Sequence, residues 1–168
     1  HKFIPTKVKP IQSVSTQCHP NNGEKQEELP YSFEIQPFDD GLLAYWAHYG
    51  IYEETLRRFR VRSLRSYASQ KREGKPFEVK ATPTEPIFAY IGNGYIKVYR
   101  PNSSKMRFLY GGRLPSPYCF GMEQIPSKGD MLIITGGEKD VLSLSAHHFH
   151  AICFNSETAQ IPENIIES

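Results

Sequence analysis

The sequence predicts an α+β fold, a small helical hairpin and antiparallel β-meander followed by an opening βαβ unit, and three stretches carry that prediction. Met131 to Ile134 is a short apolar run, β-branched at its end, as a strand buried on both faces should be. Gly136-Gly137 turns the chain into Glu138-Lys139-Asp140-Val141-Leu142-Ser143-Leu144, a helix with acids at its start, and Ala151 to Phe154 reads as a second buried strand. Strand, turn, helix and strand make a βαβ unit, which implies a parallel pair and a right-handed crossover. The second stretch, Asp39 to Phe59, carries helical spacing interrupted at Gly50. The third, Ile87 to Tyr110, alternates in character around Gly92-Asn93-Gly94, a strong hairpin signal.

In order, residues 1–36 are polar and turn-rich and are expected to be a linker or irregular segment, with one short strand near Tyr31 to Ile35. Residues 37–130 form an α+β subdomain, and 131–168 open the α/β part. Asp39-Asp40 is an N-cap for a helix carrying Leu42, Leu43, Tyr45, Trp46 and Tyr49, with Gly50 at its stop. Glu53 to Phe59 makes a second short helix, acids leading and bases closing, as the macrodipole prefers. The pair reads as a packed helical hairpin with solvated arginines rather than a groove-reading helix-turn-helix. Arg57, Arg58, Arg60, Arg62, Arg65, Lys71, Arg72 and Lys75, opposed in that stretch only by Glu73, form a candidate electrostatic footprint.

Ile87 to Ile91 and Tyr95 to Arg100 are hairpin strands, and Pro101 to Ser104 turns the chain into a third strand, Lys105 to Tyr110, closed by Gly111-Gly112. Alternation puts Tyr95, Lys97 and Tyr99 on one face and Ile96, Val98 and Arg100 on the other. Lys97, Arg100, Lys105 and Arg107, on adjacent strands and interleaved with aromatics, either supply cations for phosphates and rings for bases, the ingredients of a single-strand or nucleotide surface, or are the wet-face cations of an ordinary meander. Tyr118 to Gly121 is a bridge strand within a Pro- and Gly-rich connection.

Net charge of +2 excludes no partner class by itself, and three widely spaced cysteines suggest a reducing compartment without a disulfide framework. No apolar run approaches the ~20 residues that span a bilayer. No membrane partner is therefore expected, and the location is taken as cytoplasmic. Cys18-His19 lacks a second ligand pair at zinc spacing, and His147, His148 and His150 fit a helix end better than a metal site.

Ligands of a βαβ unit bind beyond the carboxyl ends of its strands, where this chain carries Glu138 and Asp140. Those acids either cap the helix or serve a metal or acid–base role. The run Gly136-Gly137-Glu138-Lys139-Asp140 after an apolar strand, then Val141-Leu142-Ser143-Leu144, resembles the first motif of the Toprim domain of DNA primases, primase-helicases and topoisomerases. The family pattern is an apolar strand, Glu-Gly, two residues and Asp. Gly137 takes the glycine position and Asp140 the aspartate position, while Gly136 stands where the family carries its catalytic glutamate. Glu138 lies where phage-type primase-helicases often have a second acid, and Asn155 to Ala159 resembles the polar turn after the second strand. The segment from Tyr45 through Gly50-Ile51 to Phe59, and the hairpin with its lysines and arginines, are also similar to stretches preceding the domain in primase-helicases.

The resemblance covers roughly residues 40 to 160 and implies the N-terminal lobe plus the first half of a Toprim domain, since no Asp-x-Asp follows Phe154. A fragment of a primase or primase-helicase is therefore expected. The parent reaction would be magnesium-dependent nucleotidyl transfer, making RNA primers on single-stranded DNA. The resemblance assigns Glu138 and Asp140 as catalytic and metal-binding residues, and Lys97, Arg100, Lys105, Arg107 and Arg113 as nucleic-acid contacts. Its partners would be single-stranded DNA, nucleotides and a helicase domain or subunit, and the fragment alone is expected to be inactive. The alternative is a non-catalytic nucleic-acid-binding module of a phage or mobile element, which Gly136 favours. A Toprim nuclease or topoisomerase fits less well, because those lack the preceding hairpin.

Overall fold

The structure, a computed structural model, describes residues 30–70 and 75–155. In order these form β1 (Tyr31–Gln36), α1 (Asp40–Ala47), α2 (Glu53–Arg58), β2 (Val61–Gln70), β3 (Pro76–Lys80), β4 (Ile87–Gly92), β5 (Tyr95–Tyr99), β6 (Phe108–Gly112), β7 (Cys119–Phe120), β8 (Ile133–Thr135), α3 (Glu138–Ala146) and β9 (Ala151–Phe154). A six-stranded antiparallel sheet runs β1-β2-β4-β5-β6 with β3 paired to β2, and a three-stranded sheet runs β7-β9-β8. The α+β class holds: helices are mixed with a mainly antiparallel sheet, and the one parallel pair among the described residues is β8 with β9.

Local chemistry sets the helices where their residues demand. Asp39 is extended, and its Oδ1 accepts from the Leu42 amide at 2.8 Å, which starts α1. Gly50, at φ +70°, ends that turn of chain. Trp46, Ile51 and Leu56 are fully buried in one core cluster, so both helices are anchored in the core that covers the sheet.

Strand alternation sorts the central hairpin into two cores. Phe88, Tyr90 and Tyr99 point to the helices and join Trp46, Leu56, Val141, Leu142, Ala151 and Cys153 in one cluster. Ile87, Ala89, Ile96 and Val98 point the other way, where Leu64 and Tyr67 cover them. The large sheet curls around this second core. The Tyr67 hydroxyl on β2 donates to the Tyr110 carbonyl on β6 at 2.8 Å, although β4 and β5 lie between them. A Cβ at Gly111 would lie 2.6 Å from the Tyr31 ring, so only glycine lets β1 and β6 approach.

Several expectations change. The run Met131 to Ile134 is not a strand buried on both faces: the strand is Ile133–Thr135, and Met131, Leu132 and Ile134 are exposed. The centre of the small sheet belongs to β9, whose residues are all buried, and β8 is its edge. The third strand begins at Phe108, not Lys105, because Met106 adopts φ +53° and Arg107 turns back to donate to the Pro101 carbonyl at 3.1 Å. That strand then continues through both glycines. The arginine block contains β2, the longest strand among the described residues: Val61 faces the helix-side core, Leu64 and Tyr67 face the second core, and a register shift opposite Glu34 and Ile35 leaves Arg65 unpaired in the β1 register and exposed. Gly137 is extended (φ −162°), a conformation open to any residue, so the turn before α3 does not depend on a left-handed glycine there. Cys18-His19, Lys71, Arg72 and most of the turn from Asn155 to Ala159 lie outside the described residues.

The boundary drawn at residue 130 falls across shared packing. β7 pairs with β9, and the helix-side core draws on α1, α2, β4, β5, α3 and β9 together.

Candidate functional site

The carboxyl ends of the two parallel strands meet the large sheet at one point. Glu138 opens α3 just after β8, and Asn155 follows β9. Lys97, at the middle of β5, stands between its register partners Tyr90 and Tyr110 and reaches Glu138 and Asn155. Its Nζ donates to Glu138 Oε1 at 2.5 Å and to Asn155 Oδ1 at 3.1 Å. The Tyr118 hydroxyl donates to the same Glu138 oxygen at 2.9 Å, and that of Tyr110 to Asn155 Oδ1 at 3.4 Å.

Three rings surround the ammonium. Its nitrogen lies 4.8 Å from the Phe108 centroid, 5.1 Å from that of Tyr118 and 5.8 Å from that of Tyr110. The side chains of Lys97 and Glu138 are 4% and 5% exposed. At that burial each charge is costly alone, and the pair is retained because carboxylate, amide oxygen and π faces together replace water. A desolvated cation–π contact contributes about 2 kcal/mol. Glu138 also sits in the first turn of α3, where the helix dipole favours a negative charge.

The buried carboxylate acts on its neighbours. Burial first, and then the Glu138 charge, hold the Tyr118 hydroxyl far above the ordinary tyrosine value, so it is a donor throughout the physiological range. The same two causes push up the Cys153 thiol and the hydroxyl of fully buried Tyr90. Cys153 is therefore a structural thiol rather than a nucleophile.

The two proposed metal-binding acids do not converge. Glu138 turns into the aromatic pocket, whereas Asp140 is exposed and accepts from Thr135 Oγ1 at 3.4 Å. Residues two apart on a helix do not face each other. Among the described residues no three His, Cys, Asp or Glu side chains come together in a way that could hold a metal. Magnesium keeps several waters in an octahedral shell, and a nearly fully buried carboxylate already accepting from Lys97 and Tyr118 does not fit that demand.

The five cations assigned to nucleic acid divide. Lys97 is buried and not on a wet face; the period-2 alternation is right, but α3 covers the face it points to. Arg100 is largely covered and pairs with Glu85 at 3.4 Å. Lys105, Arg107 and Arg113 are exposed around β6, with Phe108 and Tyr110 37% and 45% exposed on the same strand face. In the earlier block Arg58 donates to the Ser145 hydroxyl at 2.7 Å, Arg60 pairs with Glu123 at 3.3 Å and Arg65 with Glu34 at 3.2 Å. Tyr118 and Asn155 complete the site without any local signal, because their partners lie 20 and 58 residues away.

Among the described residues no helix is long and apolar enough to cross a membrane. No protein-family model matches the chain, and no curated protein matches it significantly.

Proposed function

We propose that this chain is a primase-like module of the Toprim class that handles single-stranded nucleic acid along β6. One observation supports this reading above the others: Phe108 and Tyr110, with the inner sides of their rings on Lys97, remain more than a third exposed on an edge strand beside Lys105, Arg107 and Arg113, at the carboxyl end of a βαβ unit. Cations track a phosphate backbone while aromatic faces accept bases without regard to sequence. Gly136 and the engaged state of Glu138 favour binding without catalysis by the chain itself. Magnesium-dependent primer synthesis remains the second reading, for a longer protein, because Glu138 and Asp140 occupy the strand end where the Toprim resemblance puts its acids.

Anisotropy titration of a labelled oligothymidylate tests the proposal. Log affinity should fall with log salt at about 0.7 per neutralised phosphate, and Lys105→Glu with Arg107→Glu should flatten that slope. Phe108→Ala or Tyr110→Ala should instead weaken binding by about 1–3 kcal/mol at an unchanged slope. Equal affinity in all variants would remove β6 from the interface. Template-dependent ribonucleotide incorporation by the purified chain with magnesium would favour the catalytic reading.

A further inference from the structure

A cation already occupies the carboxylate site, and it belongs to the chain. The Lys97 ammonium holds Glu138 Oε1 and Asn155 Oδ1 as oxygen partners, with Phe108, Tyr110 and Tyr118 closing the remaining directions as π faces. Tyr118 adds a second donor to the carboxylate, so the negative charge is matched without solvent. This set has a definite chemical preference. Divalent ions of the magnesium type take a complete shell of oxygens and surrender water reluctantly, so three rings in that shell exclude them. An organic ammonium is suited to the same surroundings, because it forms few directed bonds and gains from ring faces.

We infer that this pocket is an ammonium cage, with Lys97 as its resident cation, and that it selects an alkylammonium over a divalent metal. The cage also locks the large sheet to the βαβ unit, since Lys97, Phe108 and Tyr110 come from the first and Glu138 and Asn155 from the second. The inference does not depend on the nucleic-acid reading, although Phe108 and Tyr110 serve in both: every group of the cage is supplied by the chain, and its test reads melting and metal binding rather than affinity for an oligonucleotide.

Chemical rescue tests it in the full chain. Lys97→Ala removes three methylenes and the amine, the atoms of a propylammonium ion. The variant should melt below wild type, and propylammonium chloride should restore part of the loss in a saturable way while leaving wild type unchanged. Magnesium chloride at matched ionic strength should move neither protein. Rescue by magnesium, or a folded variant indifferent to the amine, would overturn the inference. Should Lys97→Ala fail to fold, manganese titration of wild type and Glu138→Gln by electron paramagnetic resonance decides the question. No saturable site in wild type is expected, and a single site lost in Glu138→Gln would refute the cage.

Discussion

At the scale of single residues, the protein stakes most on Lys97 and Glu138. Breaking a buried pair from one side leaves an uncompensated charge, so Lys97→Met should cost about 3–5 kcal/mol, read by urea denaturation. Adding Glu138→Gln to that variant should return part of the loss, since the stranded charge is gone. Equal losses for the single and double variants would show that the two side chains are not coupled. Tyr118→Phe removes one donor to a charged group and should cost about 1.5–3 kcal/mol. The hydroxyls also set the alkaline limit. Tyr45, Tyr90 and Tyr118 ionise well above 10.0 in the folded chain, chiefly through burial, whereas unfolded tyrosine ionises near that value. Their contribution to stability is fully present below about pH 10 and is lost as pH rises toward the folded values. Denaturation curves from pH 8 to 11 should therefore be level at first and fall at the alkaline end, with the fall reduced in Tyr118→Phe.

At the scale of elements, the glycine at the close of the curled sheet is the sharpest test. Gly111→Ala places a methyl group against the Tyr31 ring and should cost about 1–3 kcal/mol, with Tyr31→Ala relieving much of it. Independent, additive losses in a double-variant cycle would mean that β1 and β6 do not meet there. The elements differ in how far the sequence betrays them. α1, α2, the Ile87 hairpin and the βαβ unit carry local signals: an Asp cap, acids before bases, a Gly-Asn-Gly turn and a glycine pair before Glu138. β2 is hidden in the sequence because a register shift at Arg65 breaks its alternation, so that Val61 and Tyr67 face opposite cores and no period of two runs through the strand. β8 reads from its apolar run as a strand buried on both faces, and only the pairing of β9 on both sides makes β8 an edge. In the site, Glu138 and Lys97 were legible as residues but not as a pair, since nothing within 41 positions links them except the fold. The basic surface was overdrawn for a related reason: charge reads from sequence, but burial of Lys97 under α3 and pairing of Arg100 with Glu85 do not.

At the scale of the whole molecule, one core joins both described sheets and helices α1, α2 and α3, so the parts should not melt separately. Thermal unfolding should be a single transition, with ellipticity and side-chain probes coincident; a separate early step confined to β8, α3 and β9 would show that the βαβ unit is only loosely attached. The molecule carries its own optical probe for that experiment. Trp46 is the chain's one tryptophan, fully buried at the centre of the shared core, and its indole N–H has no hydrogen-bond partner among the described residues. Tyr45 lies 5.3 Å from it and Tyr99 6.5 Å, centroid to centroid. Emission from the folded protein should therefore be blue, sensitised by tyrosine absorption, and insensitive to aqueous quenchers such as iodide. Because that indole touches the helices and the sheet alike, a single wavelength follows the integrity of the entire molecule without any label.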